Sequence, residues 1–186
     1  MIMFNFMFDF EKCFIFSVDK MLAFLAKKLR ILGFDTYLRY DTDELPYFIQ
    51  KSILQQRFII TSSYKLLSII LNTNRYKNYF NKIIFINSET HIKNIKDINN
   101  VVSLILFIFE FLFRYYNLDK SYYINLIKFI NQNKLSRCLI CNSKVIENEK
   151  NLYYCVNCDK FYWEGYHHRN INSFINLIIS KLSKIP

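Results

Sequence analysis

Four cysteines carry the most specific chemistry in this chain. Cys138-x2-Cys141 and Cys155-x2-Cys158 are separated by thirteen residues. Each CxxC turn brings two thiols to one side of the backbone, and two facing turns complete a tetrahedron of sulfur. Zn²⁺ prefers that closed shell for structural sites. The spacer is a little shorter than the usual 15–20 or so residues of paired CxxC zinc sites, yet long enough for a hairpin. An iron–sulfur cluster would use the same four thiolates, and disulfides would require an oxidising compartment that nothing else here supports. Four thiolates leave no open position for water, so the metal is read as structural zinc held by Cys138, Cys141, Cys155 and Cys158. The fifth cysteine, Cys13, lies in an apolar run and reads as a buried hydrophobe.

His167 and His168 follow the last cysteine beside Tyr162, Trp163 and Tyr166. Rings and imidazoles in that company suit RNA by stacking and charge. The plainer reading is an aromatic cluster that packs the ribbon onto its neighbour.

A second chemistry is suggested by acids. Asp19 closes the apolar run CFIFSV, and Asp41, Asp43 and Glu44 follow the next one. Three or four carboxylates converging on a shallow cleft bind Mg²⁺ or Mn²⁺, which activate water and stabilise charge on a phosphodiester under cleavage. Asp19 taken alone reads as a helix cap, and its interest comes from the acids near it. There is no Ser-His-Asp arrangement, P-loop or dinucleotide fingerprint, so no nucleotide cofactor is expected.

The elements that must position these groups are readable from periodicity. Strands are predicted at 13–18, 34–38, 57–61 and 82–87. Helices are predicted at 20–32, about 45–55, 64–71, 100–116, 120–132 and 171–185. Gly33 stops the first helix, and Pro46 fits only in the first turn of the second. Strand and helix alternate four times in about 115 residues, which argues an α/β fold with a mainly parallel sheet and helices on both faces. Asp19, the acids at 41–44, Ser62 and Ser63 then share the carboxyl edge of that sheet, the usual place for a site. From Lys134 the texture changes to short strand-like pieces around the cysteines. A terminal amphipathic helix carries Ile171, Phe174, Ile175, Ile178 and Leu182 on one face.

Composition bounds the function only loosely. The chain has 186 residues, a formal net charge of +10, and just 2 Gly and 2 Pro, so collagen-like and low-complexity classes are excluded. Ile, Asn, Lys, Phe and Tyr supply 98 of the 186 residues. All five are encoded by AT-rich codons, so part of the lysine excess reflects genome composition. The charge is spread, with 17 basic and 11 acidic groups in residues 1–133 and 8 and 4 in residues 134–186. It permits a nucleic-acid partner without demanding one. The longest apolar run, Val101 to Phe113, falls short of the roughly 20 residues of a bilayer span and reads as a buried core helix. The N-terminus lacks the basic region of a signal peptide. No membrane association is expected, and the protein is read as cytoplasmic.

Four stretches together bear a resemblance to a known family: VDKMLAFLAKKLRILGFDT (18–36), DTDEL (41–45), FIIT (58–61), and RCLICN with YYCVNCDKFYWEGYHH (137–168). The chain resembles the Mut-seven C-terminal RNase domain family, in which a PIN-like nuclease fold precedes a zinc ribbon whose last cysteine pair leads into a Tyr-Trp-x-Gly-x-His segment. Here that segment reads Tyr162, Trp163, Glu164, Gly165, Tyr166, His167. The resemblance implies metal-dependent ribonuclease activity with Mg²⁺ or Mn²⁺. The family's first acid falls on Asp19 and its second acidic cluster on Asp43 and Glu44, with Asp41 beside them. The family's third strand usually ends in Thr-Arg-Asp. This chain has Thr61, Ser62 and Ser63, so a neutral hydroxyl stands where an acid is expected.

The expected architecture is a PIN-like three-layer domain (1–133), a four-cysteine zinc ribbon (134–170) and a C-terminal amphipathic helix (171–186). The expected function is metal-dependent cleavage of RNA phosphodiesters. Asp19, Asp43 and Glu44 would be the acids, Asp41, Thr61 and Ser63 further candidates, and Lys20, Lys27, His167 and His168 the RNA contacts. The ordinary reading of Lys20 and Lys27 is as solvated helix residues. The alternatives are a non-catalytic RNA-binding module with a zinc ribbon and, third, a protein-interaction adaptor using the aromatics around Tyr162.

Overall fold

The computed structural model describes residues 8–87, 97–148, 152–162 and 166–185. A short helix, α1 (Phe10–Cys13), leads into strand β1 (Phe16–Val18), a 3-10 turn (Lys20–Leu22) and helix α2 (Ala23–Ile31). Then follow β2 (Thr36–Leu38), α3 (Leu45–Leu54), β3 (Phe58–Thr61), α4 (Tyr64–Asn72), a 3-10 stretch (Asn74–Lys82) and β4 (Ile83–Phe85). Two longer helices, α5 (Ile98–Tyr115) and α6 (Tyr122–Asn133), precede the cysteine region. That region holds β5 (Ile146–Asn148), β6 (Leu152–Cys155) and β7 (Lys160–Tyr162), and α7 (Tyr166–Leu182) ends the chain.

β1 to β4 form one parallel sheet in the order β2-β1-β3-β4. β1 and β3 are central and their side chains are buried throughout, as parallel strands covered on both faces require. The period-2 alternation divides their residues between two cores. Phe16, Val18, Phe58, Ile60 and Ile84 enter a large core with α2, α5, α6 and α7. Ile59 and Ile83, which are registered partners, enter a smaller one with Phe48 and Ile49 of α3 and Leu66 and Ile70 of α4. The result is the helix–sheet–helix sandwich expected from the alternation of elements.

Helix α5 is long and apolar enough, by length and composition, to cross a membrane. Here it sits in the large core, where Val101, Ile105, Ile108 and Leu112 form one buried stripe and Val102, Phe109 and Phe113 flank it. Phenylalanines do much of the filling. Phe34 packs on Phe129 at 5.0 Å between ring centroids and on Phe109 at 5.5 Å. Phe174, Ile175, Ile178 and Leu182 of α7 join the same core.

Some element boundaries differ from the periodicity. The predicted strand at 13–18 shrinks to three residues because Asp9 caps a helical turn, accepting from the Lys12 amide at 3.1 Å, and Cys13 ends that turn half-buried. The terminal helix starts at Tyr166, five residues before the predicted start. The 3-10 stretch at Asn74–Lys82 was not anticipated. It buries Tyr76 and Tyr79, which are three residues apart, as the 3-10 repeat demands. Gly33 does end α2. Its φ is +93°, and a Cβ there would lie 2.4 Å from the Asn133 carbonyl oxygen at the end of α6, so no other residue type fits that crossing.

β5, β6 and β7 form a separate antiparallel sheet in that order. Its region meets the parallel sheet at edge strand β2. The Thr36 amide, on the open side of β2, donates to Asn142 Oδ1 at 2.9 Å. Asn142 Nδ2 donates to Asp35 Oδ1 at 2.9 Å. Arg137 donates to the Gly33 carbonyl, and Lys144 pairs with Glu11 at 2.7 Å. An edge that would otherwise offer free backbone groups is thereby covered.

Arg30 is the centre of this junction. It is 1% exposed, yet no carboxylate among the described residues bonds it. Instead Nε and Nη2 donate to the Thr36 carbonyl at 2.9 and 2.8 Å, and Nη1 donates to the Leu139 and Ile140 carbonyls at 2.8 and 2.9 Å. Arg30→Met would leave three carbonyls without their donor, the Thr36 carbonyl fully inside the junction, and a buried unsatisfied acceptor costs about 1–3 kcal/mol. We expect that variant to lose about 2–4 kcal/mol in urea unfolding, with Arg30→Lys recovering little because a point donor cannot span both sides. Asp35 makes a pH-dependent contribution at the same junction. Burial would raise its carboxyl, but Arg57, 2.5 Å away, with Asn142 and Arg137, holds it below the ordinary value. The stability it adds is present above the unfolded-state pKa of about 3.9 and is lost as pH falls through the lower folded value. Asp35→Asn should therefore be less stable than the wild-type chain at pH 7, and the gap should narrow as pH falls below about 3.9 in parallel urea titrations.

Candidate functional site

Two places bring together the residues singled out by type and spacing. The first is the cysteine cluster. The Cys138, Cys141, Cys155 and Cys158 sulfurs all lie within 4.8 Å of one another, with Cys138–Cys158 at 3.8 Å and Cys141–Cys155 at 3.5 Å. Sulfurs about 2.3 Å from one zinc at tetrahedral angles stand about 3.8 Å apart, so this donor set fits a metal such as zinc.

The surroundings favour the thiolate at the first cysteine pair, whereas burial pushes the Cys155 thiol up and the hydrogen bond with Cys141 pushes Cys158 up to about 12. The amides of Ile140 and Cys141 point at Cys138 Sγ at 3.4 and 3.5 Å, and the Tyr162 hydroxyl stands 3.0 Å from the same sulfur. Burial alone would raise the Cys138 thiol, but those donors bring it below its ordinary value. Burial opposes ionisation of Cys141 too, and it is overcome by the Ser143 hydroxyl and amide and the neighbouring thiols, which bring it to about 6. Both knuckles end alike. Asn142 follows Cys141 with φ +70°, and Asp159 follows Cys158 with φ +51°. Asn and Asp tolerate that left-handed conformation. The CxxC-Asn and CxxC-Asp runs were the available signal for these turns, and sequence reasoning passed over them.

The second place is the carboxyl edge of the parallel sheet. Asp19 is 1% exposed. Its Oδ1 accepts from the Lys20 amide and from Arg39 Nε, both at 2.8 Å, and its Oδ2 accepts from the Thr61 hydroxyl at 3.1 Å. Asp19 is thus a helix cap and, at once, half of a buried ion pair with Arg39, whose side chain is itself only 11% exposed. Arg39, one residue beyond β2, was not among the sequence candidates. Its Nη1 also reaches the Asp43 carbonyl at 3.4 Å.

The other acids are engaged separately. The Asp43 carboxylate accepts from the Tyr37 hydroxyl and from the Tyr40 amide, and burial and that carboxylate push the Tyr37 hydroxyl above its ordinary value. Asp41 is exposed and pairs with Lys20 Nζ at 2.7 Å. Glu44 is exposed at the N-cap of α3 with no side-chain capping bond. Thr61 serves Asp19. Ser63 caps α4, its Oγ accepting from the Leu66 amide at 3.2 Å. Lys27 is exposed on α2. His167 and His168 fall in the first turn of α7, with side chains outside the described structure, as are Trp163, Glu164 and Gly165.

Among the described residues the cysteines are the only group of three or more potential metal ligands that converges. The acids do not form a second one. As arranged here, with Arg39 seated on Asp19 and a capping serine at position 63, this edge does not fit a carboxylate-held Mg²⁺ or Mn²⁺.

With that geometry in hand, comparison with known proteins gives a family. The model described as the Mut7-C RNAse domain matches residues 15–175, a span that takes in both the parallel sheet and the cysteine cluster. No curated protein matches the chain, and no solved structure does.

Proposed function

Because the chain belongs to the Mut7-C RNAse domain family, we propose that it acts on RNA, at the sheet edge that carries Asp19, as an RNA-binding protein on a ribonuclease scaffold. Membership makes RNA the substrate or partner. The observation that supports binding over cleavage is the Asp19–Arg39 pair, 2.8 Å long. A carboxylate neutralised by a guanidinium inside the fold does not offer a divalent ion its charge. Asp19 is 1% exposed, so separating the pair would leave its carboxylate desolvated and without its cation, which is strongly unfavourable. Ser63, spent on the cap of α4, supplies no replacement acid. In this reading Arg39 fills the electrostatic role that a metal has in a carboxylate site.

A second reading, metal-dependent cleavage, is favoured by the position of Asp19. It is a buried acid just past the central strand, with Asp43 tied to it through Arg39. Incubation of a labelled single-stranded RNA with Mn²⁺, beside EDTA and Asp19→Asn controls, separates the two. We expect the strand to be bound and left intact. Cleavage abolished by both EDTA and Asp19→Asn would overturn the binding-only reading and establish the enzyme.

The cysteines are proposed to hold a structural Zn²⁺, with the Ile140 and Cys141 amides and Tyr162 orienting and supporting the Cys138 thiolate. Elemental analysis should find about one zinc per chain. Replacing Cys138 and Cys141 by Ser should abolish it and loosen the β5–β7 region, because binding energy in such sites is folding energy. Full zinc retention in that variant would refute the ligand assignment.

A further inference from the structure

An open cleft of about 440 Å³ adjoins the Asp19–Arg39 pair, lined by Lys20, Met21, Ala23, Leu38, Arg39, Tyr40 and Asp41. It lies between the segments that leave the two neighbouring strands β1 and β2. Two large apolar side chains stand unusually exposed on it, Met21 at 68% and Tyr40 at 47%. One Lys and one acid cross its rim as an ion pair, Lys20 Nζ to Asp41 Oδ1 at 2.7 Å.

We propose that this cleft is a binding site for one nucleotide of a single RNA strand, a proposal that rests on the RNA reading above. The volume is in the range of small-ligand sites. Tyr40 and Met21 give the base a π face and a polarisable one, and stacking of that kind is tolerant of sequence. Lys20 meets the adjoining phosphate. Its pair with Asp41 is solvent-exposed and therefore weak, so a phosphate displaces it readily. Asp41, released, accepts from a ribose hydroxyl, the group that marks RNA. Arg39 lines the cleft while its Nε stays on Asp19, so an occupant of the cleft would stand directly beside the buried pair.

The test is fluorescence anisotropy of the full chain with a labelled oligouridine across a salt series, with a 5′-mononucleotide in a parallel arm. The affected side chains are exposed, so the variants should fold, and thermal melts verify it. Tyr40→Ala should weaken strand binding about ten-fold, and Tyr40→Phe should restore it. Lys20→Gln should lower the slope of log affinity against log salt by about 0.7, one phosphate contact on a single strand. Lys128→Gln, on the exposed face of α6, should change neither the Tyr40-dependent affinity nor its restoration. If the wild-type chain binds the strand and Tyr40→Ala and Lys20→Gln bind it equally well, the cleft assignment is overturned and the RNA reading survives. If the wild-type chain binds no strand, the RNA reading falls and takes the strand occupant with it. Binding of the mononucleotide alone would likewise overturn the strand and make the cleft a free-nucleotide site.

Discussion

A guanidinium buried without a carboxylate is an expensive thing to fold around, and this structure is arranged so that Arg30 is never left wanting. Burial pushes the Arg30 guanidinium down, and the negative groups around it, Cys138, Cys141 and Asp35 among them, act against that. Its donors are met by three backbone carbonyls from two distant stretches of chain. One of those stretches is the edge strand of the parallel sheet. The other is the turn between the first two cysteines. The carbonyls of Leu139 and Ile140 can reach Arg30 only if that turn keeps the shape that also gathers the sulfurs. A tetrathiolate zinc site carries a net charge of −2, and a permanent cation beside it offsets part of the cost of burying that charge. The same residue therefore serves the fold of the sheet and the electrostatics of the cluster.

β2 transmits the consequence. Thr36, at its start, is held by Arg30 on the carbonyl and by Asn142 on the amide. Three residues on, Arg39 leaves the strand and meets Asp19. An edge strand of three residues has little to fix its position from the sheet alone, since only β1 pairs with it. The cysteine region supplies the other side. The register that sets Thr36 against Phe16 also sets Leu38 against Val18, which brings the residues immediately after each strand, Arg39 and Asp19, face to face. The distance between the ion-paired atoms is in that sense a property of the whole junction.

Much of this was legible in the sequence. Four strands, the helices between them, the stop at Gly33 and the sulfur cluster follow from alternation, helical spacing and the CxxC pairs, each a local signal with a single physical meaning. Asp19 was legible as an acid at a strand end. What could not be read is which cation or acid it would face. The acids at 41–44 are near Asp19 by topology, but Tyr37, Tyr40 and Lys20 compete for them, and such competition is decided by side-chain reach. Arg39 was passed over because an arginine beside a tyrosine in a basic chain carries no spacing signal of its own. Arg30 was hidden for a similar reason. Its spacing puts it on the buried face of α2, four residues after Ala26, but a charged side chain there carries no sign of the carbonyls that meet it from the cysteine region, more than a hundred residues away.

Arg30 and Arg39 solve opposite problems. Arg30 is satisfied by neutral carbonyls, so its charge remains available to the thiolates nearby, and a closed metal site benefits from that. Arg39 is satisfied by a carboxylate, so its charge is consumed, and an open metal site on Asp19 loses by that. The chain thus gathers four thiols at one end of the fold and sets an arginine on the acid at the other. The surface beside that arginine exposes Tyr40 and Met21 to solvent, where burial in either core would have been favourable. An exposed ring and an exposed thioether beside a polar rim are what a stacking partner needs, and their exposure at this edge is the physical reason for proposing it as a place where RNA is held.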